Sequence, residues 1–189
     1  YAQKLGRDGT PQLPTDAVSV AAAPFAQENP RLAPDGAGGA VIAWVDSRQD
    51  ENAIFVQKID LNGKSVWQEN GRLLAKAAGK QANPEIIKLK TVDWLVAWED
   101  SRKGHPQLYA QKINSSGIIL WQEGGVPLTY GSKAQEKPAA ALSADGSALL
   151  AWQDRGSGNY DIYSQKILAD GSIAWGENGF IVCSAAGSV

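Results

Sequence analysis

Apolar positions along this chain fall in short runs bounded by Gly, Pro, Asn and Asp, and the runs return every 54 residues. Val41-Ile42-Ala43-Trp44-Val45 corresponds to Leu95-Val96-Ala97-Trp98 and to Leu149-Leu150-Ala151-Trp152. These runs do not alternate with polar residues, which predicts strands buried on both faces. A second set spans Ile54 to Ile59, Leu108 to Ile113 and Ile162 to Ile167. A third follows Pro30, Pro84 and Pro138. A fourth carries Trp67, Trp121 or Trp175 and continues past a Gly into Arg72-Leu73-Leu74 or Phe180-Ile181-Val182. No run keeps a 3.6-residue apolar period, so helical repeats are excluded.

Four short strands per repeat, joined by tight turns, describe a β-propeller blade. The turn before the Trp-bearing segment reads Asp8-Gly9, Asn62-Gly63, Ser116-Gly117 and Asp170-Gly171. Asn-Gly and Asp-Gly predict a type I′ turn. A second tight turn is expected at Asp35-Gly36 and Asp145-Gly146. The expected fold is all-β, about three and a half four-stranded antiparallel blades. Residues 1–28 supply the third and fourth strands of a partial blade plus linker; 29–82, 83–136 and 137–189 are the following blades. The leading half-blade finds no first and second strands at the other end, so the native ring is expected to be larger, completed by more of the same polypeptide or by another chain.

Residues identical in every full repeat are expected to build the blade rather than to act on a ligand. Trp44, Trp98 and Trp152, with Trp67, Trp121 and Trp175, are expected to fill space between blades. Asp46, Asp100 and Asp154 each have an Arg close by, a pairing that ties a loop down by charge-assisted bonds. Gln57, Gln111 and Gln165 are expected to be buried and bonded to backbone. The alternatives are a ring of Asp carboxylates holding a cation or a sugar, and an exposed Trp stacking on one.

Function is better sought in the loops that vary, because binding residues ride on loops held by a scaffold. The second-to-third strand connections and the blade-to-blade connections open on one face. They supply Asp50, Glu51 and Asn52, then His105, then Asn159 and Tyr160 as candidate ligand or partner contacts. Trp94 stands where the other repeats have Ala40 and Ala148, so it either packs or projects as a binding aromatic. Asp46, Asp50 and Glu51 offer oxygen ligands suited to Ca²⁺, but no EF-hand or RTX-type spacing is present, and a metal remains unassigned.

Composition changes this picture only by exclusion. With 18 Lys and Arg interspersed among 20 Asp and Glu, the chain has no basic cluster for nucleic acid or an anionic membrane. No apolar run approaches the ~20 residues of a membrane span. A single Cys, Cys183, excludes an internal disulfide and is read as a buried strand residue. His105 is the only His and lacks the companions of a catalytic triad or His metal site. Nothing calls for a cofactor.

The string Ala-Trp-x-Asp-Ser-Arg, then Ile-Tyr-x-Gln-Lys-Ile, Asp-Gly and Trp-Gly-Glu-Asn-Gly resembles the propeller-like repeats of large secreted bacterial surface proteins of the type IX secretion kind. Ala151-Trp152-Gln153-Asp154, Asp161 to Lys166 and Trp175 to Gly179 match best. That resemblance implies an extracellular or cell-surface propeller and brings no catalytic residues with it. The turn before Trp175 is also similar to the Asp box of sialidase propellers, although here Gly directly follows Asp170. It is similar too to the Gly-x-x-x-Trp element of pyrroloquinoline-quinone enzymes. The expected function is a non-catalytic structural or protein-interaction module. The alternative is a carbohydrate-binding or glycan-processing propeller whose active face needs further blades.

Overall fold

Each Gly-bounded run becomes a strand, and the computed structural model, which describes residues 1–13, 17–48 and 51–184, is all-β. Three four-stranded antiparallel sheets follow one another along the chain. The first contains β1 (Gln27–Pro34), β2 (Ala40–Asp46), β3 (Ala53–Ile59) and β4 (Arg72–Ala75). The second contains β5 (Gln81–Lys88), β6 (Trp94–Asp100), β7 (Gln107–Ile113) and β8 (Val126–Pro127). The third contains β9 (Gln135–Leu142), β10 (Ala148–Asp154), β11 (Asp161–Ile167) and β12 (Phe180–Cys183). Every sheet is a meander, each strand paired to the next in sequence.

The sheets pack face to face, with β1 against β5 and β5 against β9. Strand alternation decides what each face meets. From β6, Trp94, Val96 and Trp98 join the first sheet's Val41, Val45 and Val56 in one core. Leu95 and Ala97, pointing the other way, join Leu150 and Trp152 of the third sheet in a second core. The unbroken apolar run of β6 is thus explained by two interfaces. Each fully buried Trp removes ~200 Å² from water, roughly 5 kcal/mol of transfer free energy.

The first strands start earlier than the sequence suggests, at Gln27, Gln81 and Gln135, because the Pro lies inside them at a bulge. Asn29, Asn83 and Lys137, the residues before the three prolines, take positive φ angles there. The Asp-Gly-like turns also differ from the expectation. Gly63 has φ +79° while Asn62 has no positive φ, and Gly63 N donates to Asp60 O at 3.0 Å. That is a type I turn closed by a left-handed Gly, not type I′. The Asp60 carboxylate holds it by accepting from the N–H groups of Asn62 and Lys64, both at 2.9 Å. The second tryptophan set lies in the connection before β4, β8 and β12 rather than in those strands.

Residues 1–26 form no named strand among those described, yet they repeat the outer hairpin's pairing. The bridges Ala2↔Val18 and Leu5↔Pro11 stand 54 residues before Val56↔Arg72 and Ile59↔Ser65. Ala2, Val20 and Ala21 cover Ile42, Trp44 and Phe55 on the first sheet's outer face.

Candidate functional site

The start of each sheet's first strand pairs with the end of its second, as in Gln27↔Asp46. The variable loops therefore leave from the same end as the repeated Asp residues. In the first two sheets the Asp is fully engaged. Asp46 accepts from Trp44 Nε1 at 2.8 Å, from Arg48 Nε and Nη2 at 2.8 and 2.6 Å, and from Arg48 N at 3.0 Å. Arg48 Nη2 also donates to Asn70 O at 2.7 Å, and the guanidinium lies 4.1 Å from the Phe55 ring centre. Burial pushes the Asp46 carboxyl up, but the bonds from Arg48 and Trp44 outweigh it and hold the pKa below the ordinary value. Asp100, Trp98, Arg102, Gly124 and Tyr109 repeat the arrangement. In both sheets the carboxylate ties the loop that follows it to its own strand.

The third sheet breaks the pattern. Its Arg follows the Asp directly, with no Ser between, and does not fold back onto the carboxylate. Arg155 lies over Tyr160 instead, 5.0 Å from its ring centre. Asp154 keeps a 2.6 Å bond from Gly156 N and a long one, 3.5 Å, from Trp152 Nε1. Directly across the ladder stands Asp161, where the first two sheets have Ala53 and Gln107. Both carboxylates are buried. Burial raises the Tyr163 pKa, and the adjacent Asp154 and Asp161 raise it further.

More polar groups lie at the same end of the sheets. Tyr160, half exposed, donates its hydroxyl to Glu136 Oε2 at 3.2 Å. Buried Glu99 joins the second sheet to the third, accepting from Asn83 Nδ2 at 2.8 Å and from Lys137 N at 2.6 Å. Carboxylate acceptors beside an exposed aromatic ring suit a polyhydroxylated ligand, whose hydroxyls need acceptors and whose C–H faces need an apolar plate. Among the described residues no three or more His, Cys, Asp or Glu gather as metal ligands.

Of the residues expected to bind, Tyr160 lies at this cluster and Asn159 beside it, its N–H on Ser157 Oγ at 3.4 Å. Asp50 lies outside the described residues; Glu51 is exposed, and Asn52 Oδ1 accepts from Ser47 Oγ at 2.8 Å in the first sheet's loop. His105 belongs to the second sheet's loop, where Nε2 is 3.1 Å from Gly131 O. Trp94 does not project. It is 1% exposed, at the opposite end of the sheet, packed between the first two sheets. Cys183 is exposed rather than buried, on β12. The repeated Gln residues are buried and bonded to backbone: Gln111 donates to Gln122 O at 2.8 Å and accepts from Lys112 N and Trp121 N at 2.8 and 3.0 Å. Trp67 and Trp98 pack between the first and second sheets, with Trp67 Nε1 reaching Ser115 O of the second sheet at 3.1 Å, and Trp121 and Trp152 pack between the second and third; Trp44 lies on the first sheet's outer face and Trp175 is exposed.

Glu99, Glu136 and Asp161 were not singled out by the sequence. Two signals were available: the Asp-Arg spacing shortens only in the third repeat, and Asp161 replaces a non-acidic residue at a repeated position.

No protein-family model matches the sequence, and no curated protein matches it. Solved structures do. An endo-1,4-β-xylanase from Bacteroides thetaiotaomicron superposes with TM-score 0.55 at 13% identity, over 93% of this chain and 63% of that one. An endo-arabinase from the same organism gives 0.53 at 12%, over 78% and 59%. The chain thus spans about three fifths of the length of these structures, and the likeness is one of fold.

Proposed function

We propose that the three sheets are consecutive blades of a larger β-propeller, displayed outside the cell or on its surface, that binds carbohydrate across the variable end. The observation that carries the ligand class is the third sheet's departure from the repeat. Asp154 is freed from its Arg, Asp161 is set against it, and Tyr160 stands exposed on Glu136. The fold shared with a xylanase and an arabinase supports the same class. Asp46 and Asp100 are paired with Arg48 and Arg102 within their own sheets and take no part in this ligand contact.

A further blade is supported by positions that are buried twice and open once. Ala75 and Thr129 are buried, but their counterpart Cys183 is exposed. Trp67 and Trp121 each pack against the next sheet, while Trp175 is 41% exposed. Another sheet of the same kind, from this polypeptide or a second chain, restores the missing contacts. The surface location rests on the likeness to secreted bacterial repeats.

Affinity electrophoresis of the secreted protein in xylan, arabinan and galactan gels tests the ligand. Retardation is expected with one of them, weakened about tenfold by Tyr160→Ala. No retardation in any gel, or retardation unchanged by Tyr160→Ala, sinks the reading. A second reading, a structural or protein-interaction module, is favoured by the exposed Phe180, Ile181 and Val182 on the free face. Cross-linking of that face to a foreign protein, with no glycan retardation, selects it.

A further inference from the structure

Position 94 and its counterparts Ala40 and Ala148 occupy the same place at the turn end of three successive interfaces. Between the first and second sheets the place is filled: Trp94 seats its ring among the core residues, with Lys58 Nζ and Lys88 Nζ each 5.7 Å from the ring centre. Between the second and third sheets Ala148 leaves the ring's place empty. A cavity of about 230 Å³ opens there, walled by Leu89, Leu95, Trp121, Ala148 and Ile167, with Lys112 at its edge. Lys112 is the counterpart of Lys58 and keeps its place through a 3.3 Å pair with Asp93.

We propose that this slot is a binding site for a planar, electron-rich aromatic group of indole size. The occupied copy carries this inference. The same backbone framework, 54 residues earlier, encloses an indole under a lysine ammonium. Size agrees, since an apolar cavity of roughly 150 Å³ already holds benzene. The chemistry agrees as well: Trp121 and the aliphatic walls take the ring faces, and the Lys112 ammonium meets the negative face of an aromatic ring. Trp94 Nε1 is buried with no hydrogen-bond partner in its own slot, so recognition there depends on shape and cation contact rather than on a donor. The interface before the first sheet also has a cavity, about 200 Å³ beside Ala40, but Leu13 replaces the aromatic wall. Only the Ala148 slot combines the empty place, the Trp wall and the lysine. It opens among the turns containing Lys90, Asp145 and Leu168, at the end opposite the carbohydrate face, so the two sites are independent.

The test is a ¹⁹F NMR titration of 5-fluoroindole against the full chain. Saturable broadening and shift of the fluorine signal are expected, lost in Ala148→Trp, which supplies the ring covalently. Ala148→Leu, a smaller plug, is read by the same criterion should the Trp variant fail to fold; it weakens binding at least tenfold. A native protein with no saturable change, or binding that survives Ala148→Leu, overturns the proposal.

Discussion

Arg102→Met puts the Asp–Arg pairing to a quantitative test. Asp100 is fully buried and its carboxylate accepts from four donors: Trp98 Nε1, Arg102 N, and Arg102 Nε and Nη2 at 2.8 and 2.7 Å. Removing the guanidinium deletes the last two and leaves a buried charge with one indole and one backbone N–H. A hydrogen bond to a charged group contributes about 1.5–3 kcal/mol, and breaking one side of a buried pair costs about 3–5 kcal/mol. The Arg102 side chain is 22% exposed, so water partly replaces it, and the low end applies: about 3 kcal/mol. Gly124 O loses its 2.7 Å donor as well. Urea unfolding followed by tryptophan fluorescence measures the loss. The third sheet contains the control, because Arg155 rests on exposed Tyr160 instead of on Asp154. Arg155→Met is expected to cost under about 1 kcal/mol. Equal losses in the two variants, or an Arg102→Met loss below about 1 kcal/mol, would refute the assignment of a distinct role to the third sheet's Asp.

Acid should unfold the chain partly through Asp46. Its folded pKa lies below the ordinary 3.8, so the stability it supplies is complete above that value and is lost as pH falls through the lowered one. Urea midpoints at about pH 6 and about pH 3 should therefore differ less in Arg48→Met than in the native protein. Gly125→Ala drives a methyl into the edge of the Trp98 ring and toward Ala110 O at φ +87°, whereas Gly104→Ala meets nothing at the same φ. Calorimetry should show a loss of about 3 kcal/mol for the first and about 1 kcal/mol for the second. Gln111→Leu strands two N–H groups and one carbonyl and should cost about 3 kcal/mol by the same unfolding assay. Trp94→Ala should cost about 3–5 kcal/mol, the range for emptying a core aromatic site; a loss below about 1 kcal/mol would show that the ring is not packed as described.

The sequence by itself determined the all-β class and the four-strand repeat. The physical reason is that these depend on local rules applied repeatedly. Trp98, Gln111 and Gly117 each satisfy a need that recurs in every sheet, so a fixed period exposes them without coordinates. Turn type was less legible. Asn62-Gly63 is compatible with two hairpin geometries, and the dipeptide alone does not choose between them; the same Gly-closed turn forms from Leu168 to Gly171, where the upstream position has no carboxylate. The candidate site was legible only in part. Tyr160 stood out as a loop residue, but the Asp154–Asp161 pair depends on cross-strand register, and Glu99 on a contact between two sheets. Trp94 shows the same limit from the other side: its departure from the repeat marked it as special, but only the packing of the first two sheets decides whether a large ring is buried or displayed. Contacts between distant residues depend on how the sheets stack, and no local pattern encodes that.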